Sequence, residues 1–158
     1  MRKTFAASAI LLAAALVGCE PTGKTPAEPS TSVSDVAVAP TKEQTRDNMR
    51  EWHKSGGDAV LVPLVADLEL ADDDWRTDQF KRDGLKSVVH KDLAAAKQYR
   101  PVPDTEGQKY WADFLNTMQK VDDNLVLGNW DTAYQGLKDA DKAYKRFYDR
   151  NQLIFSGK

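Results

Sequence analysis

The chain has 158 residues, 41% of them hydrophobic and 29% charged, enough for one compact domain with extensions. Its 22 Lys and Arg are interspersed with 24 Asp and Glu rather than gathered into a basic block, so no nucleic-acid partner is expected. A single cysteine excludes an internal disulfide framework.

At the amino end, Arg2 and Lys3 precede an apolar run over residues 5–17, the length of a signal-peptide core and too short to span a bilayer comfortably as a helix. The run closes on Leu16, Val17, Gly18 and Cys19. That segment resembles the lipobox of bacterial lipoproteins. The resemblance implies that residues 1–18 are a lipoprotein signal peptide and that Cys19, carrying covalent lipid, becomes the first mature residue, anchored to the membrane on its extracytoplasmic side. The chemistry fits: a lone cysteine in an exported chain has no disulfide to make, and each buried lipid CH₂ contributes about 0.8 kcal/mol of anchoring. Glu20, rather than aspartate, follows the cysteine, which favours the outer membrane where the source has one.

The next stretch, EPTGKTPAEPSTSVSDVAVAPT, has no aromatic residue and no helical period. It cannot bury enough apolar surface to offset its ordering entropy. Residues 19–41 therefore read as the lipidated cysteine and a disordered tether rich in Pro, Ser and Thr, with a reach on the order of 25 Å.

From residue 42 the period becomes helical. Met49 and Trp52 share one face of a helix over 42–54, and Ser55, Gly56 and Gly57 interrupt it. Asp58 can cap a second piece with Leu61, Leu64, Val65 and Leu68 at i, i+3, i+4 and i+7, and Pro63 is expected in an early turn of that piece. The acidic run ADDDWRTDQF is expected to open the next helix, whose stripe is Phe80, Leu85, Val88, Val89, Leu93 and Ala96 up to Gln98. YRPVPD then stops it, and Asp104 can cap the following helix. That helix carries Trp111, Phe114, Leu115, Met118, Val121 and Leu125 and ends at Gly128. Asn129 or Asp131 caps a last helix with Trp130, Ala133, Leu137, Ala140, Tyr144 and Phe147 on one stripe to about Arg150. The short joint makes these two an antiparallel hairpin.

The fold expected for residues 42–158 is all-α: an up-and-down antiparallel bundle of about four helices, the first broken at Gly56–Gly57. Folding about Gly128 would bring Asp122 near Tyr134, where the carboxylate could accept the tyrosine hydroxyl; the alternative is that Val121 faces the core and Asp122 is solvated.

Catalytic and metal signatures find no support. His53 and His90 have no second ligand at i+3 or i+4 and read as surface or flank residues. Met49 and His90 could flank a haem in a bundle, but no CxxCH attachment motif accompanies them, and no cofactor is expected beyond the lipid on Cys19. The acidic runs at 72–74 and 122–123 lack the ligand spacing of an EF-hand and read as cap and solvated residues. GxSxG, P-loop and HExxH patterns are absent, so the chain is not expected to be an enzyme.

Two further resemblances bear on the body. VLGNWDTAYQGLKDA resembles the joint of a tetratricopeptide helix pair, but one unit cannot build a solenoid, so it reads as a helical hairpin. EWHKSGGDAV, PVPD, KYWADFL and LGNWDTA together are similar to small helical lipoproteins of actinobacteria and their phages. That similarity implies fold and location and brings no activity or site residues.

The expected function is a membrane-anchored, non-catalytic interaction module of the cell envelope that binds an envelope protein, with Tyr134, Tyr144 and Tyr148 as the candidate partner-binding surface. The alternative is a carrier of a small apolar or cationic ligand inside the bundle, which requires a pocket of several hundred Å³ between helices.

Overall fold

The computed structural model describes residues 39–72 and 74–157. Cys19, the signal segment and the tether up to residue 38 lie outside the described residues. Thr41 caps the first helix: its hydroxyl accepts from the Gln44 N–H at 3.2 Å, while the Gln44 side chain accepts from the Thr41 N–H at 2.8 Å. This capping box starts α1 (Lys42–Trp52).

The expected break follows. His53–Gly57 form a π-helical turn in which the Asp58 N–H reaches back to the His53 carbonyl, and Gly56 leaves helical geometry at φ 129°. A Cβ at that φ is strained, so position 56 favours glycine. Position 57 requires glycine for a different reason: a Cβ there would lie 2.3 Å from Cε3 of the Trp52 ring. One glycine supplies the conformation and the other the close approach. Beyond the kink, α2 (Asp58–Glu69) continues directly from the π-turn, so Pro63 sits in a helix interior and not in an early turn. The carbonyl it leaves without a donor belongs to Ala59, which is exposed and can be served by water.

Two short 3₁₀ turns, Leu70–Asp72 and Trp75–Thr77, replace the helix start expected in the acidic run. Trp75 is buried and meets Trp130 edge-on at 6.5 Å. α3 (Gln79–Gln98) begins at Asp78, whose carboxylate accepts from the Phe80 and Lys81 N–H groups. Phe80, expected in the core stripe, is 88% exposed. It stands five residues before Leu85, and five residues turn a helix to about 140° away from the starting face. Val88 is also exposed, whereas Leu85, Val89, Leu93 and Ala96 are buried as expected.

The proline segment ends α3, and Asp104 caps α4 (Thr105–Leu127) by accepting from the Gly107 N–H at 2.7 Å. Gly128 closes α4 at φ 75°, with the Asn129 N–H donating to the Asn124 carbonyl at 2.9 Å. α5 (Trp130–Ser156) runs beyond the expected end near Arg150, and its added turns bring the buried Asn151 and the half-buried Ile154 and Phe155 into the fold. Asn129 occupies the N-cap position of α5, but its side chain bonds Asn124 instead of capping the helix.

Among the described residues every regular element is helical, and four rods pack as a bundle. Cross-helix pairs show neighbouring rods running antiparallel: Arg82 over Trp130 and His90 with Asp122 between the α3 and α4–α5 segments, Asp113 with Arg146 and Asp104 with Arg150 between α4 and α5. The core is joined at Trp52, whose ring meets Tyr99, Trp111 and Phe147 with centroids 5.6, 6.0 and 6.3 Å away. Its Nε1 donates to the Arg100 carbonyl at 3.1 Å, the Tyr99 hydroxyl donates to the Trp52 carbonyl at 3.2 Å, and Arg100 donates to the Glu51 carbonyl at 2.9 Å. One indole thus ties the helix break to the α3–α4 loop and to both remaining helices.

At the same end, Arg150 clamps Asp104 through Nε and Nη2, both at 2.8 Å, and reaches Glu106 at 2.9 Å. The Arg150 hydrogen bond chiefly, with the Gly107 N–H and the guanidinium charge, holds the Asp104 carboxyl below its ordinary value against the opposing effect of burial. A depressed carboxyl contributes stability that is present above the ordinary aspartate value and lost as pH falls through the lower folded value. Arg150→Met, which keeps the stem but removes the fork, is expected to cost about 2–4 kcal/mol at pH 7, near the low side of a broken buried pair because Arg150 is partly exposed. Urea titrations of both proteins down the acid limb should show that difference shrinking as Asp104 protonates.

Candidate functional site: the α2–α5 trough

α2 reads DAVLVPLVADLE, apolar nearly all round. A helix of that kind is ordinarily covered on every side. Here Leu61, Leu64 and Leu68 are buried, but Ala59, Val62 and Ala66, at i, i+3 and i+7, form an exposed apolar stripe, with Val62 62% exposed. The polarity is inverted as well, because Asp67 is buried at 4% exposure.

The uncovered stripe borders the seam between α2 and α5. A groove of about 550 Å³ there has Val65, Leu68 and Ala71 on one wall and Tyr144 with Lys138, Lys142 and Lys145 on the other. A second groove of about 200 Å³, lined by Leu61, Val62, Val65, Ala66 and Glu69, shares Tyr144. Together they make a trough along α2. The lysines follow i, i+4 and i+7 on α5, and two are held by acids of their own helix: Lys142 to Asp139 at 2.8 Å and Lys145 to Asp141 at 2.6 Å. Lys138 lies 4.3 Å over the Tyr134 ring.

The three tyrosines singled out by sequence fall into two groups. Tyr144 and Tyr148 are ring neighbours at 6.2 Å; Tyr144 also packs on Phe114 at 5.7 Å and faces the trough, and Tyr148 is exposed. Burial foremost, then Tyr148 and Asp141, raises the Tyr144 hydroxyl above its ordinary value. Tyr134 stands about 15 Å earlier along α5, half-buried between Trp75 at 6.4 Å and the Arg76 guanidinium at 4.2 Å.

Asp122 is buried, but its partner is His90, whose Nδ1 lies 2.9 Å from Oδ2. The α4–α5 seam explains the correction. Val121 faces Gly136 so closely that a Cβ there would lie 2.9 Å from Val121 Cγ2, which turns Asp122 toward α3 and leaves Tyr134 to the Trp75 turn. Oδ1 of Asp122 is buried without a hydrogen-bond partner, and His90 is mostly exposed. Its counterpart His53 is a flank residue, edge-on to Trp52 at 5.1 Å and bonded to Asp58 at 2.6 Å. Met49 is fully buried, on the core side of α1. Among the described residues no three His, Cys, Asp or Glu side chains come together as a metal site, and no helix is long and apolar enough to cross a membrane.

No protein-family model, curated protein or solved structure matches the chain, so function is read from these surfaces and from the sequence.

Asp67 was invisible to periodicity, its only signal being an acid inside an otherwise apolar helix. Burial first, then the charge of Asp92, raises its carboxyl from 3.8 to about 7. The folded protein keeps this proton while the unfolded chain releases it near the ordinary value, so the contribution to stability falls as pH rises from about 4 to about 7 and is level above that. Asp67→Asn should therefore raise the unfolding free energy read from urea titrations at pH 8, by an amount on the order of a few kcal/mol, and change it little near pH 4.

Proposed function

We propose that this chain is an extracytoplasmic lipoprotein, lipid-anchored to the cell membrane through Cys19, whose helical bundle is a non-catalytic interaction module for another protein of the cell envelope. The lipobox-like Leu16-Val17-Gly18-Cys19 supports the anchor. The observation that carries the interaction reading is α2, a largely apolar helix that leaves Ala59, Val62 and Ala66 uncovered beside an open trough. Monomeric domains rarely expose a continuous apolar stripe without a use for it. Tyr144 and Tyr148 extend the same side with the aromatic side chains that interfaces favour.

The carrier alternative is the weaker of the two readings. It calls for a pocket enclosed within the bundle, whereas Trp52, Phe114, Met118, Leu125, Leu137 and Phe147 fill the interior with essentially no exposure, and the 550 Å³ space between α2 and α5 is a groove open at the surface.

Two measurements test the proposal. Metabolic labelling with a radioactive fatty acid should mark the wild-type chain and not Cys19→Ser, and detergent phase partitioning should move the variant to the aqueous phase; equal labelling of both would contradict the anchor. Cross-linking on intact cells with a reagent that stays outside the cytoplasm should trap a protein partner reproducibly, and the partner should vanish when residues 42–158 are deleted and the anchor kept. Recovery of the chain alone would contradict the interaction module.

A further inference from the structure

Resting on the interaction-module reading, we infer that the α2–α5 trough is a docking groove for one amphipathic helix of a partner protein, oriented by acidic residues along the border that faces α5. The mode follows from the architecture. The described residues offer no strand edge to which an extended segment could add, whereas the seam between two neighbouring rods is the shape that accepts a helix. From Leu61 to Ala71 the trough walls span about 15 Å, close to three helical turns.

Affinity comes from the floor. Val62, Val65, Ala66 and Leu68 present an apolar strip of the width that i, i+3, i+4 and i+7 side chains of a facing helix can cover, and Tyr144 closes it from α5. Orientation comes from the rims, which differ in sign. The α5 rim carries Lys138, Lys142 and Lys145 in helical register, and the α2 rim carries Glu69. Asp139 and Asp141 lie among these three lysines, so the α5 rim keeps an excess of one positive charge whether or not the pairs are made, against the negative Glu69 on the α2 rim. The lysine pairs with Asp139 and Asp141 join exposed groups, which contribute little to stability, so the cations can turn to a partner's carboxylates at small cost. Such charges steer the encounter and fix which way the helix lies. A helix with an apolar face, acids along the α5 border and a cation toward Glu69 satisfies all of these groups together.

The test uses the full chain and two stapled helical peptides with the same leucine face, one bordered by glutamates and the other by lysines, with binding read by fluorescence anisotropy. The glutamate peptide should bind at least tenfold more tightly. Val62→Glu, at an exposed position, should weaken it at least tenfold with helicity and melting midpoint unchanged, and Lys142→Glu with Lys145→Glu should reverse the preference between peptides. Equal affinity for both peptides, or indifference to all three substitutions, would overturn the inference. In cells, a photo-reactive residue at Val62 is compared with one at Phe80, the exposed aromatic on α3. Capture at Val62 through an acid-bordered helical segment agrees with the groove. Capture only at Phe80 would overturn the groove and leave the interaction module standing, and capture at neither would overturn both.

Discussion

The indole of Trp52 packs against the backbone at Gly57 so closely that no side chain fits between them, and the arrangement of the bundle depends on that contact. The π-turn and the positive φ of Gly56 bend the chain around the ring instead of letting one straight helix pass it. Once seated, the ring reaches Tyr99, Trp111 and Phe147, and its Nε1 draws in the Arg100 carbonyl of the α3–α4 loop. The same kink sets the path of α2. A straight continuation of α1 would carry α2 along a different line over α5, and the trough between them would not have its present walls.

Much of the architecture was legible because it is written in residues with one physical meaning. Two adjacent glycines after Trp52, two prolines after Arg100 and a glycine before Asn129 mark three of the four joints, each where the spacing predicts it, while the acidic run between α2 and α3 folds as two 3₁₀ turns instead of opening the helix. The less legible features depend on which neighbour a helix meets. Phe80 belongs to the α3 stripe in a loose count of apolar residues but falls on the far side once Asp78 fixes the start of the helix. The distance to the turn left two readings, Asp122 against Tyr134 or Val121 in the core with Asp122 solvated; Val121 is in the core, and its contact with Gly136 fixes the rotation of the hairpin and hands a buried Asp122 to His90. The last turns of α5 went unseen because Asn151 interrupts the apolar pattern where it is in fact buried.

Of the tyrosines the sequence singles out, Tyr144 and Tyr148 lie side by side at an open face, and Tyr134 packs against Trp75 and the Arg76 guanidinium of the 3₁₀ turn. The feature periodicity could not find is the inversion on α2, where a valine faces out and an aspartate faces in. The sequence marks one stripe of α2, Leu61, Leu64, Val65 and Leu68, and only the packing shows that a second apolar face is left over. Asp67 adds a cost at neutral pH that a helix selected for stability alone would not carry.

The most direct measurement of the central contact is a double-mutant cycle between Trp52→Leu and Gly57→Ala, read as unfolding free energies in urea. Gly57→Ala alone forces a methyl into the ring and should cost about 2 kcal/mol or more; in the Trp52→Leu background the ring is gone and only the carbonyl of residue 52, 2.7 Å from the added Cβ, still crowds it, so the second substitution should cost at least ~1 kcal/mol less than in the native protein. Additive effects within about 0.5 kcal/mol would mean that the ring and the glycine do not constrain each other, and the explanation of the break, the kink and the trough would fall with them.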